Sequence, residues 1–255
     1  MSGDLISFRI VYVAAKEPGG KLWKPDHEYW RQGAAMASVP IEFSAHDAPA
    51  AAAALKKGGV DICVLDGTLP ANEKIAVMEA ANRAQPPPFT IEAAPAGASS
   101  GGGTDVALAQ PMNPDAARKL VDSFVRARIP NRVLIVDDSG TMRSIVRKIL
   151  TASRFLLDIY EVSEGEAALV QLRTGEFGMV FLDYNMPGLN GFETLAMIKR
   201  DHPRTAVVMI TSALDDDVAE RARAAGATGF LKKPFYPADI DEILARHYGL
   251  QAASD

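Results

Sequence analysis

The sequence predicts an α/β protein built from two doubly wound parallel sheets in tandem. Short apolar, β-branched runs alternate with helical patterns, and this order occurs twice along the 255 residues. Where the composition is clearest the runs are continuously apolar, which is typical of strands that helices cover on both faces. A chain of this length suits two domains that each bury a core. We expect one domain at 1–128 and the other at 131–250.

Ten apolar runs predict the strands. Those of the second half lie at 133–136, 157–161, 179–182, 207–210 and 229–231. Those of the first half have weaker patterns and lie at 8–14, 41–43, 60–65, 90–93 and 106–109. Between 86 and 103 the sequence is rich in Pro, Ala, Gly and Ser, which indicates a mobile loop where a fourth helix is expected.

Start signals mark several helices. Asn113 and Pro114 predict a helix that ends by Arg128. Ser139 is expected to cap the first helix of the second half, and Ser163 with Glu166 resembles a capping box for the next. The apolar positions of the helix after Ser139 recur at helical spacing and are Met142, Ile145, Val146, Ile149 and Leu150.

The remaining helices of the second half follow in order. One lies around 192–199, one runs from about 216 to 225 and stops at Gly226, and the last begins near Pro237. The residues expected on their buried sides are Phe192, Leu195, Ala196 and Ile198, then Ile240, Ile243 and Leu244.

Two pairs of motifs indicate that the halves arose by tandem duplication. The segment LDGTLP at 65–70 parallels LDYNMP at 182–187, and QPMNP at 110–114 parallels KPFYP at 233–237. The short connection 129–131 between the halves predicts a restricted orientation of the two domains.

Composition narrows the class of protein. The net charge of −5 argues against nucleic acid or an anionic membrane as the main partner. No apolar stretch reaches the roughly 18 to 20 residues that span a bilayer, and the N-terminus lacks the basic start of a signal peptide. The single cysteine, Cys63, excludes an internal disulfide and is expected to be a buried core thiol. We therefore expect a cytoplasmic protein.

Five residues follow apolar runs of the second half: Asp137, Asp138, Asp183, Thr211 and Lys233. Taken singly, an acid pair after a strand is commonly a turn or a helix cap, and a Lys-Pro pair is commonly a loop. Because the carboxyl ends of parallel strands meet at one edge of a sheet, where ligands bind, the five are expected to lie together. Three acids, a hydroxyl and an ammonium in one crevice suit a divalent metal and a phosphoryl group.

Phosphorylation of Asp183 brings an anion to an anion, and Mg²⁺ would relieve the repulsion. This cation prefers carboxylate, carbonyl and water oxygens. Asp138 and Asp183 are expected as direct ligands, the Asn185 backbone carbonyl as a third, and Asp137 through water. Lys233 would neutralise a phosphoryl oxygen, and the Thr211 hydroxyl would donate a hydrogen bond to it.

The motifs VLIVDDS at 133–139, FLDYNMPG at 181–188, MITSA at 209–213 and GFLKKPF at 229–235 carry a family resemblance. With them, residues 131–250 resemble a receiver domain of a two-component response regulator. The resemblance implies a flavodoxin-like (βα)5 fold, an acidic metal pocket at Asp137 and Asp138, and phosphorylation of Asp183 by a sensor histidine kinase.

The resemblance also implies a switch. Thr211 would move toward the phosphoryl group and Phe230 would turn inward, although Phe230 also suits an ordinary core ring. Of the two adjacent lysines, the family pattern selects Lys233, which directly precedes proline, over Lys232. Many receivers pair through their last helices and strand, so a homodimer is expected.

The first half resembles a receiver that has lost this chemistry. Its first strand runs into alanines at 14–15, Ala93 or Ala94 stands where the threonine is expected, and Gln110 replaces the lysine. Asp66 alone remains. A carboxylate without metal ligands is a poor phosphoryl acceptor, so Asp66 is expected to serve a turn or cap.

Three functions remain open on the sequence. The first is a phosphorylatable signalling protein without its own turnover activity, which acts through protein contacts or dimerisation, or as a phosphate sink or relay intermediate with a histidine phosphotransfer protein. No DNA-binding or enzymatic output domain is expected after 250. The second is an adaptor with vestigial phosphorylation. The third is a phosphohydrolase of the haloacid dehalogenase type, but that class places its two acids two residues apart, whereas Asp137 and Asp138 are adjacent.

Overall fold

The computed structural model describes residues 7–16, 24–94, 103–212 and 216–250. Contacts divide the chain into two compact units. One holds the described residues up to Arg128 together with 248–250, and the other runs from Ile129 to His247. Of the loop expected over 86–103, residues 95–102 lie outside the described residues, and Phe89–Ala94 form a strand.

In the first unit the described residues form five strands and four helices. In chain order they are β1 (Phe8–Val13), α1 (Lys24–Ala35), β2 (Ile41–His46), α2 (Ala48–Lys57), β3 (Ile62–Asp66), α3 (Ala71–Arg83), β4 (Phe89–Ala94), β5 (Val106–Ala109) and α4 (Pro114–Ala127).

The second unit has five strands and five helices among its described residues. They are β6 (Asn131–Val136), α5 (Gly140–Ala152), β7 (Leu157–Val162), α6 (Gly165–Leu172), β8 (Met179–Asp183), α7 (Gly191–Asp201), β9 (Ala206–Thr211), α8 (Asp216–Ala224), β10 (Gly229–Lys232) and α9 (Pro237–Tyr248).

The two sheets share one topology. The first has the order β2-β1-β3-β4-β5 and the second the equivalent order β7-β6-β8-β9-β10, with every strand pair parallel. This is the strand order of a flavodoxin-like fold, so the prediction of two such domains in tandem is confirmed. The central strands β3 and β8 are buried at every position, as expected when helices cover both faces.

Helix ends differ in part from the prediction. Ser139 caps α5 as expected, since its Oγ accepts from the Met142 backbone N–H. The capping box predicted at Ser163 is wrong, because α6 begins one residue later, after Glu164, which makes no side-chain cap. A capping box occurs instead at α7, between Asn190 and Glu193.

The buried faces of α5 and α7 are narrower than predicted. Ile145 is 41% exposed and Ala196 is exposed, so neither belongs to the core. Thr194 is fully buried in α7 instead, and its hydroxyl donates to the Asn190 carbonyl at 2.8 Å. That bond within the helix satisfies the hydroxyl, which lets a polar residue take an interior position.

Among the described helices none combines the length and the apolar character that a bilayer crossing demands.

Candidate functional site

Four strand ends of the second unit present polar side chains at one edge of the sheet. Asp137 directly follows β6, Asp183 ends β8, Thr211 ends β9 and Lys233 directly follows β10. The strands β6, β8, β9 and β10 are neighbours in the sheet, so one topology brings together residues that are up to 96 positions apart. Three of these side chains, Asp137, Asp183 and Thr211, are buried although polar.

The Lys233 ammonium joins two of the acids. Its Nζ donates to Asp183 Oδ1 at 2.8 Å and to Asp137 Oδ2 at 3.3 Å. The other oxygen of Asp137 accepts from the Ser139 backbone N–H at 2.8 Å. The acid Asp137 is therefore fixed from two sides, by the turn that opens α5 and by the lysine.

The three acids Asp137, Asp138 and Asp183 can each offer a carboxylate oxygen, and these oxygens lie within 4.8 Å of one another. Asp137 and Asp183 are 1% and 4% exposed, whereas Asp138 faces solvent. Three carboxylates face one ammonium, so the cluster keeps excess negative charge. Close, hard oxygen donors with uncompensated charge fit a small divalent cation such as Mg²⁺, and one exposed member leaves it a route of entry.

Electrostatics make Asp183 harder to ionise than an ordinary aspartate. Burial raises the pKa of Asp183, the hydrogen bond from Lys233 opposes that shift, and the neighbouring charges of Asp137 and Asp138 add to it. Burial lowers the pKa of Lys233, but the hydrogen bond and charge of Asp183, together with Asp137, outweigh burial and hold it above its usual value. The ammonium therefore stays charged at neutral pH.

Two further residues shape the site and were missed on the sequence. Arg143, in the first turns of α5, donates to the Asp137 carbonyl at 2.7 Å and faces Glu161 at 3.4 Å. Gly191 starts α7 against β8, where an added Cβ would collide with the backbone of Asp183 and Tyr184. The spacing of Arg143, one helical turn after the cap residue, is a signal that places it near the acids.

The remaining predicted residues lie around this cluster. The Lys233 backbone N–H donates to the Thr211 carbonyl at 2.8 Å, which fixes the lysine beside the end of β9. Asn185 lies in the exposed loop two residues after Asp183. Phe230 on β10 is half-buried, and the Arg223 guanidinium lies 5.2 Å from its ring centroid. In this structure the ring is thus held between the core and a surface cation.

Backbone hydrogen bonds identify the equivalent positions in the first unit. The Gln110 N–H donates to the Ala94 carbonyl at 2.8 Å, as the Lys233 N–H donates to Thr211. Gln110 is therefore equivalent to Lys233, and Ala94, not Ala93, is equivalent to Thr211. In the same way the Ala14 N–H donates to the carbonyl at the end of β2, as Asp137 does at the end of β7.

Neutral hydroxyl and amide groups surround Asp66, where the second unit has charged side chains. The Tyr12 hydroxyl donates to Asp66 Oδ2 at 3.1 Å and accepts from Gln110 Nε2 at 2.7 Å, while Trp30 Nε1 donates to Gln110 Oε1 at 2.9 Å. The other oxygen of Asp66 accepts from the N–H and the hydroxyl of Thr68 at 2.8 and 2.7 Å. Asp66 is therefore part of a buried, hydrogen-bonded network.

Comparison with known proteins separates the two halves. The family model for the response regulator receiver domain matches residues 133–245. Chemotaxis protein CheY-3 of Vibrio cholerae serotype O1 is 37% identical over 115 residues, which are 44% of this chain and 88% of that protein. Chemotaxis protein CheY of Pseudomonas aeruginosa is 35% identical over 106 residues, 41% of this chain and 85% of that protein.

Solved structures extend the likeness to both halves. A probable two-component system response regulator/GGDEF domain protein aligns over 95% of this chain and 98% of its own, with a TM-score of 0.61 and 19% identity. A second response regulator/GGDEF domain protein gives the same coverage and TM-score at 21% identity. At these identities the likeness shows the tandem fold alone. The sequence matches over 133–245 show more: through these residues, the chain belongs to the response regulator receiver domain family.

Proposed function

We propose that the second unit is a phosphoacceptor in two-component signalling, and that Asp183 receives its phosphoryl group from a sensor histidine kinase, directly or through a histidine phosphotransfer protein. The observation that carries this proposal is the bridge from the Lys233 ammonium to Asp183 and Asp137 beside a third acid. Membership of the receiver family supports the same assignment.

In the transfer, a carboxylate oxygen of Asp183 forms the new O–P bond. The N–P bond of the donor phosphohistidine breaks, and the imidazole nitrogen leaves with the electron pair. Bound Mg²⁺, held by Asp137, Asp138, Asp183 and the Asn185 carbonyl, would supply neutralisation of the negative charge that gathers at the site.

The protein's own residues do the remaining work by position and charge. Lys233 already contacts the accepting carboxylate and remains protonated, so it is placed to neutralise an oxygen of the incoming phosphoryl group. Burial at the strand end keeps Asp183 away from bulk water. The carboxylate is the acceptor and is consumed in each transfer, so we propose no turnover of an external substrate.

A small phosphodonor tests the acceptor. The full chain would be incubated with acetyl phosphate and Mg²⁺, and phosphate incorporation followed by intact mass. We expect a single phosphoryl group on the wild type and on the control Asp158→Asn, which changes an exposed acid of β7, and none on Asp183→Asn. Addition of EDTA should abolish incorporation. Undiminished labelling of Asp183→Asn would refute the site.

Phosphorylation is proposed to act through Thr211 and Phe230. A phosphoryl group adds about −1.5 to −2 charges and strong acceptor oxygens, which attract the Thr211 hydroxyl. Movement of Thr211 would free space for Phe230, whose ring now lies under Arg223. Thr211→Ala should therefore still take up phosphate but lose any phosphate-dependent change in oligomeric mass, measured by light scattering.

The first unit is proposed to be a degenerate receiver that serves for docking or dimerisation in the cytoplasm, with protein partners and not nucleic acid. The hydrogen-bonded state of Asp66 and the net charge of −5 support this role. A homodimer that forms on phosphorylation is the expected output. If the phosphorylated chain drains phosphate from a kinase while its mass stays constant, the alternative of a phosphate sink is favoured.

A further inference from the structure

A groove lies at the edge of the second sheet opposite the acidic cluster, where β6, β8 and β9 begin. Its volume is about 790 Å³, and its walls are the segments before β6, between α6 and β8, and between α7 and β9. This basal groove is lined by residues 130–132, 172–173, 175–178 and 201–205. Its volume lies within the range of about 300 to 1,000 Å³ that is usual for small-molecule sites.

The basal groove is rich in cationic side chains. Arg132, Arg173 and Arg204 line it from its three walls, and His202 lies beside them. The Arg132 guanidinium rests 5.6 Å from the Tyr160 ring centroid, which limits the positions it can take, and its Nε forms a long, exposed ion pair of 3.9 Å with Asp158. Gly175 leaves room for this guanidinium, because an added Cβ would collide with it.

The acids of the basal groove are already paired. Asp201 accepts two hydrogen bonds from Arg200, at 2.7 and 2.8 Å, and Glu176 lies 3.3 Å from Arg204. Arg173, by contrast, forms no ion pair within the part of the chain that the structure describes. The groove therefore keeps an excess of positive charge.

The positive charge of the groove also affects the Asp201 carboxyl. Its pKa is held below the usual value, first by the hydrogen bond from Arg200 and also by the nearby charges of His202 and Arg173. The Arg204–Glu176 pair is about nine-tenths exposed on both sides. Exposed pairs of this kind are weak, so Arg204 can turn toward another anion at little cost.

Buried apolar groups form the inner wall. Leu172 and Phe177 are 1% and 4% exposed, and the Phe177 carbonyl accepts from the Thr205 hydroxyl at 2.9 Å. The polar groups of this wall are thus satisfied within the protein. What remains available to a ligand is the guanidinium groups, whose forked donors match the oxygens of phosphate.

We propose that the basal groove binds a small polyanion with two or more phosphate groups, of the size of a nucleoside polyphosphate. Such a ligand would span the arginines of the three walls and lie against the apolar inner side. This site is separate from the phosphoacceptor and opposite in charge, so it would give the second unit an input that does not pass through Asp183.

Calorimetric titration of the full chain tests the proposal, with ATP and inorganic tripolyphosphate as separate probes. EDTA is present throughout so that a metal cannot bridge phosphate to the acidic cluster. We expect saturable binding in the wild type that weakens as salt rises. Arg132→Ala with Arg173→Ala should weaken it by about tenfold or more, since each charge-assisted hydrogen bond contributes substantially. Tighter binding of ATP than of tripolyphosphate would show that the base adds contacts.

Three controls make the outcome decisive. Arg83→Ala with Arg246→Ala removes the same charge from exposed helix ends elsewhere and should leave binding unchanged. Asp183→Asn should also bind as the wild type does, which keeps this result independent of the phosphoacceptor. The single change Arg173→Glu, at an exposed position, repeats the test if the double variant does not fold. Absence of saturable binding at millimolar probe, or equal loss in the Arg83 and Arg246 control, would overturn the proposal.

Discussion

The strand-end sites of the two units share one backbone arrangement but differ in the charge of the side chains around their aspartates. In the second unit Asp183 faces a lysine and two more acids, so negative charge remains uncompensated and suits a cation. In the first unit Asp66 occupies the equivalent position, but neutral hydroxyl and amide groups saturate it. The fold supplies the meeting point, and the side chains at a few strand ends decide whether the point is reactive.

The two strand-end sites differ at few positions. Alanines at 14 and 15 stand where the second unit has the acid pair, and Gln110 stands where it has the lysine. Tyr12 then reaches the space that is left, and its hydroxyl links Asp66 to Gln110. Without these contacts Asp66 would be an unsatisfied buried carboxylate, which is costly. The network removes that cost.

The largest expected difference comes from the two equivalent residues Lys233 and Gln110. Lys233→Ala should lower the rate of phosphate incorporation by about 10² to 10³, because it removes a preorganised charge at the reacting group. Gln110→Ala should leave that rate unchanged. Both rates would be measured with acetyl phosphate under the same conditions. A comparable loss in Gln110→Ala would mean that the first unit takes part in the chemistry.

The next largest expected difference between the units is their stabilisation by Mg²⁺. At a Mg²⁺ concentration 100 times its dissociation constant, binding stabilises the folded second unit by about 2.7 kcal/mol. Hydrogen exchange should therefore slow in peptides that cover 137–139 and 183–186, and should not change in peptides that cover 66–68. Asp138→Ala, which removes the exposed acid, should abolish the effect. Protection at 66–68 would contradict the view that the first site has no metal.

The Tyr12 hydroxyl is expected to stabilise the first unit, because it links Asp66 to Gln110. Tyr12→Phe leaves Asp66 and Gln110 each without one buried partner, which should lower the free energy of unfolding by about 1 to 3 kcal/mol. Urea unfolding would measure the loss, and phosphate incorporation should stay at the wild-type level. If stability is unchanged, water replaces the hydroxyl and the first site is more open than its hydrogen bonds indicate.

Asp66→Asn is expected to have a smaller effect. The amide oxygen can still accept from Thr68, so the loss in stability should be at most about 1 kcal/mol, again by urea unfolding. Phosphate incorporation should not change, because Asp183 remains. Loss of half the incorporated phosphate would show instead that Asp66 is a second acceptor.

The sequence predicts the acidic cluster at Asp183 better than the hydrogen-bonded network at Asp66. Strand ends in a parallel sheet converge by topology, so apolar runs followed by Asp183 or Lys233 were enough to bring those residues together. The link from Tyr12 to Asp66 was not predictable, because it depends on the length and direction of one side chain across two strands. For Arg143 the spacing from the cap residue places it near the acids, but its contact with a backbone carbonyl of the acid pair depends on the side-chain conformation.

Sequence signals for helix starts failed where more than one residue could cap the helix. Ser163 and Glu166 have the spacing of a capping box, yet the helix begins after Glu164, and the box forms at Asn190 and Glu193. Spacing alone does not fix which residue starts a helix, because packing against the sheet decides the first turn. Ala94 and Ala93 likewise are told apart by the structure, through the bond from Gln110 and the strand register.

The smallest expected effect concerns Cys63, which lies on β3 three residues before Asp66. The thiol is fully buried, and burial raises its pKa from 9.0 to about 12. The fold favours the protonated thiol, so this stabilisation is complete below pH 9 and is lost as pH rises toward 12. At pH 8 iodoacetamide should therefore label Cys63 only when the unit opens.

The labelling rate should be the same with and without acetyl phosphate and Mg²⁺, measured by mass spectrometry of the full chain. A denatured sample provides the control for complete labelling. Equal rates are expected because labelling depends on opening of the unit that holds Cys63, and Asp183 belongs to the other unit. Faster labelling after phosphorylation would show that the first unit opens in response to the second, and the two sites would then be coupled parts of one switch.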